Sequence, residues 1–183
     1  TQVASTSAEF TIAGGPPLPA NLAPGAEATF DVRFKPASRG PQNGTISVSS
    51  DDADEPVVDV ACTGTGVAPE IQVTPASLAF GNQAVDTQSA AQPLRVKNEG
   101  NAALQLTQVA SSSAQFTIAG GPPLPASLAP GAEAAFDVRF VPASTGPQNA
   151  SISVSSDDAD EPVVMVPCAG EGIPSDPPPG GRG

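Results

Sequence analysis

Two acidic clusters are the residues of this chain best suited to chemistry. Residues 51–55 read Asp-Asp-Ala-Asp-Glu, and the same five letters return at 157–161. Carboxylates grouped on one turn are the ligands that a hard cation such as Ca²⁺ prefers, so the pattern offers a calcium site. The candidate ligands are Asp51, Asp52, Asp54, Glu55, Asp157, Asp158, Asp160 and Glu161.

A structural interpretation of the same clusters competes with calcium binding. The spacing is not that of an EF-hand, and no glycine supplies the sharp bend which that motif requires. A hairpin turn ended by Pro56 or Pro162 explains the composition equally well, with Asp side chains accepting hydrogen bonds from nearby backbone N–H groups. Both interpretations stay open at the level of the sequence.

Other reactive chemistry is scarce. The chain contains no His, so it cannot build a Ser-His-Asp or Cys-His pair, nor the imidazole ligation that most catalytic zinc sites use. The sequence predicts that the chain is not an enzyme and that it holds no cofactor other than calcium. Cys62 and Cys168 lie one domain length apart, too far for an easy disulfide. A small buried hydrophobe is the favoured role for each, and an intermolecular bridge or a reactive thiol is the alternative.

Charge limits the classes of partner. The chain carries 19 acidic and 7 basic residues, a formal net charge of −12. The basic residues are scattered, so no patch exists to hold phosphate, and nucleic acid is not an expected partner. An acidic surface keeps neighbouring domains soluble and apart. No apolar run approaches the roughly 20 residues that span a bilayer, so no membrane contact is expected within this segment.

An internal repeat organises the chain. Residues 1–66 and 107–172 are identical at 54 of 66 positions, with a period of 106 residues, which is the size of a domain. Residues 67–106 have no counterpart before Thr1, so the sequence is interpreted as a window from a longer tandem array. It predicts a partial sandwich at 1–66, a complete sandwich at 67–173 and a Pro/Gly-rich linker or tail at 174–183. The short, Pro-containing connection near Pro69 predicts a stiff junction.

Alternating apolar residues predict that the domains are built from strands. Phe136, Val138 and Phe140 alternate with polar residues, and similar short runs are separated by Gly, Pro, Asn and Asp turns. Differences between the two copies identify the solvent-facing side, because the position that holds Asp59 in one copy holds Met165 in the other. Seven or eight such strands predict an all-β fold of tandem antiparallel immunoglobulin-like sandwiches, the first incomplete at its N-terminus.

The order of several motifs resembles a known domain family. These are Val-Lys-Asn-Glu-Gly-Asn at 96–101, Phe-Thr-Ile at 116–118, Leu-Ala-Pro-Gly at 128–131, Val-Arg-Phe-Val-Pro at 138–142 and the acidic stretch 155–162 through to Gly172. Together they resemble the ASH (abnormal spindle and Hydin) immunoglobulin-like domain, and more closely its bacterial choice-of-anchor D branch. The resemblance implies a sandwich related to major-sperm-protein (MSP) and PapD-like domains, without catalytic residues, in large secreted or surface-attached bacterial proteins.

Repeat, composition and resemblance together lead to one expected function. We expect a structural tandem-repeat protein that forms a stalk, fibre or filament outside a bacterial cell or on its surface. The expected partners are neighbouring copies of the repeat, in one longer chain or in other subunits of a fibre. An adhesion or binding module that holds a protein or glycan through the loops at one end of the sandwich is the alternative.

Overall fold

Strands make up all the regular structure that a computed structural model describes for residues 2–175. The described residues divide between Val67 and Ala68 into two compact units, called unit 1 and unit 2 below. Unit 1 contains β1 (Gln2–Ser5), β2 (Phe10–Ala13), β3 (Asp31–Phe34), β4 (Gly40–Ser49) and β5 (Val57–Gly66). Unit 2 contains β6 (Ile71–Thr74), β7 (Leu78–Ala84), β8 (Gln92–Asn98), β9 (Leu104–Ser111), β10 (Phe116–Ala119), β11 (Ala126–Leu128), β12 (Glu133–Phe140), β13 (Gly146–Ser156) and β14 (Val163–Ile173).

Unit 2 is a two-sheet sandwich. One sheet has the strand order β10-β12-β8-β6 and the other the order β11-β9-β13-β14-β7. Both sheets contribute to a single apolar core, which forms because every second residue of each strand points to the same face. Phe116 and Phe140 stack at its centre with ring centroids 4.7 Å apart, and Phe80 packs at a tilt against both rings. The predicted all-β immunoglobulin-like sandwich is confirmed.

Two details of the described part of unit 2 differ from the sequence-based expectation. The unit has nine strands rather than seven or eight, because the Pro-rich stretch after Gly120 contains β11, which pairs with the start of β9. The β7–β14 pair is parallel, so the pairing is not antiparallel throughout. Local sequence patterns predict strands but not which strands pair. β7 lies about ninety residues before β14 in the chain, so its pairing could not be predicted in this way.

Unit 1 contains fewer strands in smaller sheets. Its described residues form a three-stranded sheet β1-β4-β5 and a separate pair β2-β3. The registers repeat those of unit 2, since Phe10 faces Phe34 just as Phe116 faces Phe140. Nothing in the described part of unit 1 corresponds to β6, β7 or β8. The described residues of unit 1 therefore form only part of the sandwich that unit 2 shows.

Burial confirms which strand face is exposed. Met165 and Asp59 both lie on the solvent-facing side of the last strand of their units. No helix that could cross a membrane is found in residues 2–175. The predicted Pro/Gly-rich tail lies mostly outside the described residues, which end at Ser175.

Candidate functional site

The acidic cluster of unit 2 lies on the turn that joins β13 to β14. The Ser156 N–H donates to the Pro162 carbonyl at 3.1 Å and closes the turn. Inside it, the Asp158 N–H donates to Ser156 Oγ at 3.2 Å, and the Asp160 N–H donates to Asp158 Oδ1 at 3.3 Å. These short-range bonds are the side-chain capping that Asp and Ser provide in turns.

Asp158 is buried and binds a distant strand. Its side chain is 1% exposed, and its Oδ2 accepts a hydrogen bond from the Ile71 N–H at 2.7 Å. Burial by itself raises the pKa of Asp158, but the hydrogen bonds from the backbone of Ile71 and from Asp160 outweigh it, so the pKa lies below the ordinary carboxyl value. Asp158 is therefore a charged acceptor that attaches β6 to the β13–β14 turn.

The neighbouring acidic residues divide between a second attachment and solvent. Asp157 Oδ1 accepts from the Gln105 N–H at 2.8 Å, and the Asp157 N–H donates to the Gln105 carbonyl at 3.2 Å. This pair of bonds holds the turn against β9. Asp160 and Glu161 are exposed. The turn thus connects residues 71 and 105, near the two ends of the opening segment that we define as residues 68–106.

The acidic cluster of unit 1 has the same turn without those attachments. The Ser50 N–H donates to the Pro56 carbonyl at 2.9 Å, the Asp52 N–H to Ser50 Oγ at 3.2 Å, and the Asp54 N–H to Asp52 Oδ1 at 3.2 Å. All four acidic residues of this cluster are exposed. Asp52, which matches Asp158 in the repeat, has no strand like β6 beside it within the described residues of unit 1.

The described residues do not gather a ready metal-binding group. Among residues 2–175, no set of three or more His, Cys, Asp or Glu side chains is arranged to hold a metal ion. In unit 2, Asp158 already uses both carboxylate oxygens for backbone N–H groups, which leaves Asp157, Asp160 and Glu161 for a cation. Calcium binding at either cluster stays a prediction.

Asn98 is a buried polar residue that enters the sequence analysis only as part of the motif at 96–101. It is fully buried, and its Nδ2 donates to the carbonyls of Ala102 at 2.7 Å and Leu128 at 2.9 Å. Its Oδ1 accepts from the Gly100 N–H at 2.9 Å and from the Glu70 N–H at 3.3 Å. The alternation of Leu94 and Val96 continues to residue 98, and this signal places Asn98 on the buried face.

Both cysteines are free, and their surroundings differ. Cys168 is 2% exposed in the core of unit 2, and this burial raises the pKa of its thiol. Its Sγ donates to the Val166 carbonyl at 3.6 Å. Cys62, at the matching position of β5, is half-buried.

Fold and site define an immunoglobulin-like repeat domain whose acidic turn attaches its own opening strands. The chain matches the HYDIN/CFA65/VesB-like Ig-like domain over residues 69–166. The chain belongs to this family. Domains of this kind serve as binding or structural modules and are generally non-catalytic.

Similar solved structures come from animals and from bacteria. The ASH/PapD-like domain 7 of human CEP192 is 14% identical, with 62% of this chain and 92% of that chain covered and a TM-score of 0.49. A protein of unknown function from Porphyromonas gingivalis W83 is 14% identical, with 93% and 84% covered and a TM-score of 0.49. WR4, an MSP family member of C. elegans, is 13% identical, with 56% and 97% covered and a TM-score of 0.38. No curated protein sequence matches the chain.

Proposed function

We propose that this chain is a non-catalytic structural part of a tandem-repeat protein, of the choice-of-anchor D type, that forms a stalk or fibre at the surface of a bacterial cell. The observation that carries the proposal is the near identity of the repeats. The twelve positions that differ among the 66 all lie outside the buried core of unit 2, yet most outward-facing positions are also alike. Modules that recognise different targets need different surfaces, whereas modules that set a length can all be alike.

The short connection between the units supports the same function. β5 ends at Gly66, and the Ala68 N–H already donates within unit 2, to Asn101 Oδ1 at 2.9 Å. The Ala68 carbonyl accepts in turn from the N–H groups of Asn101 at 3.1 Å and Ala102 at 3.2 Å. Only Val67 is left between these two fixed points. A connection of this length suits a spacer better than a hinge.

Surface composition supports a spacer over a recognition module. The net charge of −12 favours mutual repulsion of neighbouring chains and opposes lateral clumping. The chain has no Trp or Tyr, the aromatic residues that most often dominate protein–protein hot spots. The repeat therefore lacks both of the aromatic residue types that most often mark a protein-binding loop.

Labelling of intact source cells tests the proposed location. We expect an antibody raised against unit 2 to bind intact cells, and a membrane-impermeant amine reagent to label the protein before lysis. A cytoplasmic protein measured in the same sample controls for leakage. Labelling that requires lysis would contradict the proposed location. A soluble protein or glycan that competes with the antibody at low concentration would favour the adhesion alternative.

A further inference from the structure

Several apolar residues that form the core of unit 2 are exposed at the matching positions of unit 1, although Phe10 and Ile46 stay buried. Val138, Phe140 and Val166 are 0%, 0% and 1% exposed, whereas Val32, Phe34 and Val60 are 47%, 36% and 51% exposed. The outward-facing pair Val163 and Val57 serves as an internal control, since the two are 50% and 53% exposed. The difference therefore lies on the inward side of β3 and β5, which we call the open face of unit 1.

Strand edges next to the open face also lack the partners that their counterparts have. In unit 2, β12 pairs with β8 and β14 pairs with β7. In the described residues of unit 1, β3 pairs with β2 and β5 with β4, and neither gains a strand on its other side. β3 is also four residues long against eight for β12, which is the expected result when no neighbour extends the ladder. Unpaired edges of this kind are templates for strand addition.

Two features of unit 1 indicate where a covering segment would lie: a carboxylate at the position of its first strand and a cavity at the position of its last residues. A cavity of about 170 Å³ in unit 1 is lined by Leu18, Ala20, Leu22, Ala28, Phe30 and Val48. In unit 2 the residues matching Leu22, Ala28, Phe30 and Val48 belong to the core that also contains Leu104 and Leu106 of the opening segment. Asp52, at the rim of the open face, occupies the position in unit 1 that matches Asp158 in unit 2. Asp158 accepts a hydrogen bond from the Ile71 N–H there.

We propose that the open face of unit 1 is the docking surface for a further opening segment, a stretch with the sequence pattern of residues 68–106 that runs directly into β1. The partner is defined by the chemistry that unit 2 displays. It has three strands with alternating apolar residues, a strand edge for β3, another for β5, and a backbone N–H for Asp52. This inference concerns the completion of each repeat and does not depend on the proposed stalk.

Covalent continuation is the source that the structure favours. β9 is one strand in which Leu104–Leu106 come from the opening segment and the residues after them match β1. A segment joined at that point acts at a high effective concentration. A second copy of this chain is a poor donor, because its own residues 68–106 already cover its unit 2. Moving them would uncover an identical face and gain nothing.

The test adds a second copy of the opening segment to the chain. A copy of residues 68–106 is fused directly ahead of Thr1, and the control carries the same fused residues with Asp at the positions of Leu94 and Val96. A separate peptide of residues 68–106 is added to the unmodified chain in a third arm. Hydrogen exchange of β3 and β5, and the reactivity of the Cys62 thiol, report on the open face. Exchange of β12 and β14 and the reactivity of Cys168 give the reference values.

We expect the fused segment to slow exchange in β3 and β5 by about tenfold or more and to lower Cys62 reactivity towards that of Cys168. The control segment should give neither effect, and Val60→Asp should abolish the gain. The separate peptide at equimolar concentration should protect less than the fused one. Equal protection by the control segment, or none by the native one, would overturn the proposal. Protection by the separate peptide that matches or exceeds the fused one would overturn the covalent source.

Self-association gives a further decisive outcome. Light scattering of the unmodified chain at increasing concentration measures whether the open faces bury one another. The proposal would be refuted if the unmodified chain forms a dimer that Val60→Asp disrupts and the fused segment gives no protection of β3 and β5. That result would identify a second copy of the chain as the occupant.

Discussion

Replacing Asp158 by Ala is expected to release β6 from the sandwich of unit 2. The substitution removes the carboxylate that accepts the Ile71 N–H at 2.7 Å in a site that is 1% exposed. A hydrogen bond to a charged acceptor contributes about 1.5–3 kcal/mol, and a buried N–H left without a partner costs about 1–3 kcal/mol. Because these figures partly describe the same loss, we expect the free energy of unfolding of unit 2 to fall by about 2–4 kcal/mol. That change corresponds to a fall of roughly 10–20 °C in melting temperature.

The repeat provides a matched control for this variant. Both carboxylates accept a hydrogen bond from the N–H two residues later in the chain, Asp54 for Asp52 and Asp160 for Asp158. Asp52→Ala therefore removes the same bond within the turn as Asp158→Ala does. It does not remove a bond to a strand like β6. The contrast between the two variants therefore isolates the contribution of the Ile71 bond.

Hydrogen exchange measured by mass spectrometry assigns the effect to one unit. The chain has no Trp or Tyr, so fluorescence is uninformative, and circular dichroism provides the global melting curve. We expect faster exchange at Ile71 and along β6 in Asp158→Ala only. Equal losses of protection in both variants, each in its own unit, would refute the reasoning. So would an unchanged Ile71 amide in Asp158→Ala.

The same carboxylate predicts how stability depends on pH. The pKa of Asp158 is lower in the folded chain than its ordinary value of about 4, so the unfolded state binds the proton more readily. Its contribution is therefore present above the ordinary carboxyl pKa and is lost as the pH falls through the lower folded value. We expect Asp158→Asn to flatten the loss of stability of unit 2 in this acid range. An identical acid profile in both proteins would contradict the assignment.

Three further predictions concern the remaining polar and reactive groups. Asn98→Ala should lower the stability of unit 2 by about 2–4 kcal/mol in thermal melts, because four backbone groups, part-buried at residues 70, 100 and 102 and buried at residue 128, each lose a hydrogen bond; a change under about 0.5 kcal/mol would contradict this role. Cys62 should react with a thiol reagent about tenfold or more faster than Cys168, because the Cys168 thiol is buried and has a raised pKa. Equal reaction rates in variants that keep only one cysteine would contradict this difference. The calcium hypothesis predicts that calcium at about 1 mM raises the melting temperature, that chelator reverses the shift, and that removing the exposed carboxylates abolishes it; an unchanged melt would reject it.

Much of the fold follows from local patterns in the sequence. The alternation of Phe136, Val138 and Phe140 predicts β12, because inward-facing positions of a half-buried strand recur every two residues. The exchange of Asp59 for Met165 between copies predicts the outer face of the last strand without any structural information. The repeat itself predicts that unit 1 has no counterpart of the opening strands.

The site could be predicted only in part, because its contacts join residues far apart in the chain. Both acidic clusters read the same, yet Asp158 is buried and Asp52 is exposed. The difference depends on β6, whose Ile71 lies 87 positions away from Asp158. β11 was missed for a similar reason, since its pairing with Leu104–Leu106 outweighs the turn signals of a Pro-rich stretch.

Negative-stain electron microscopy of native surface material, with immunogold against unit 2, tests the proposed function most directly. The proposed stalk or fibre predicts gold at regular intervals along filaments that begin at the cell surface, with an axial spacing of one or two domains. Gold confined to the cell interior, or scattered on particles without an axial repeat, would contradict it.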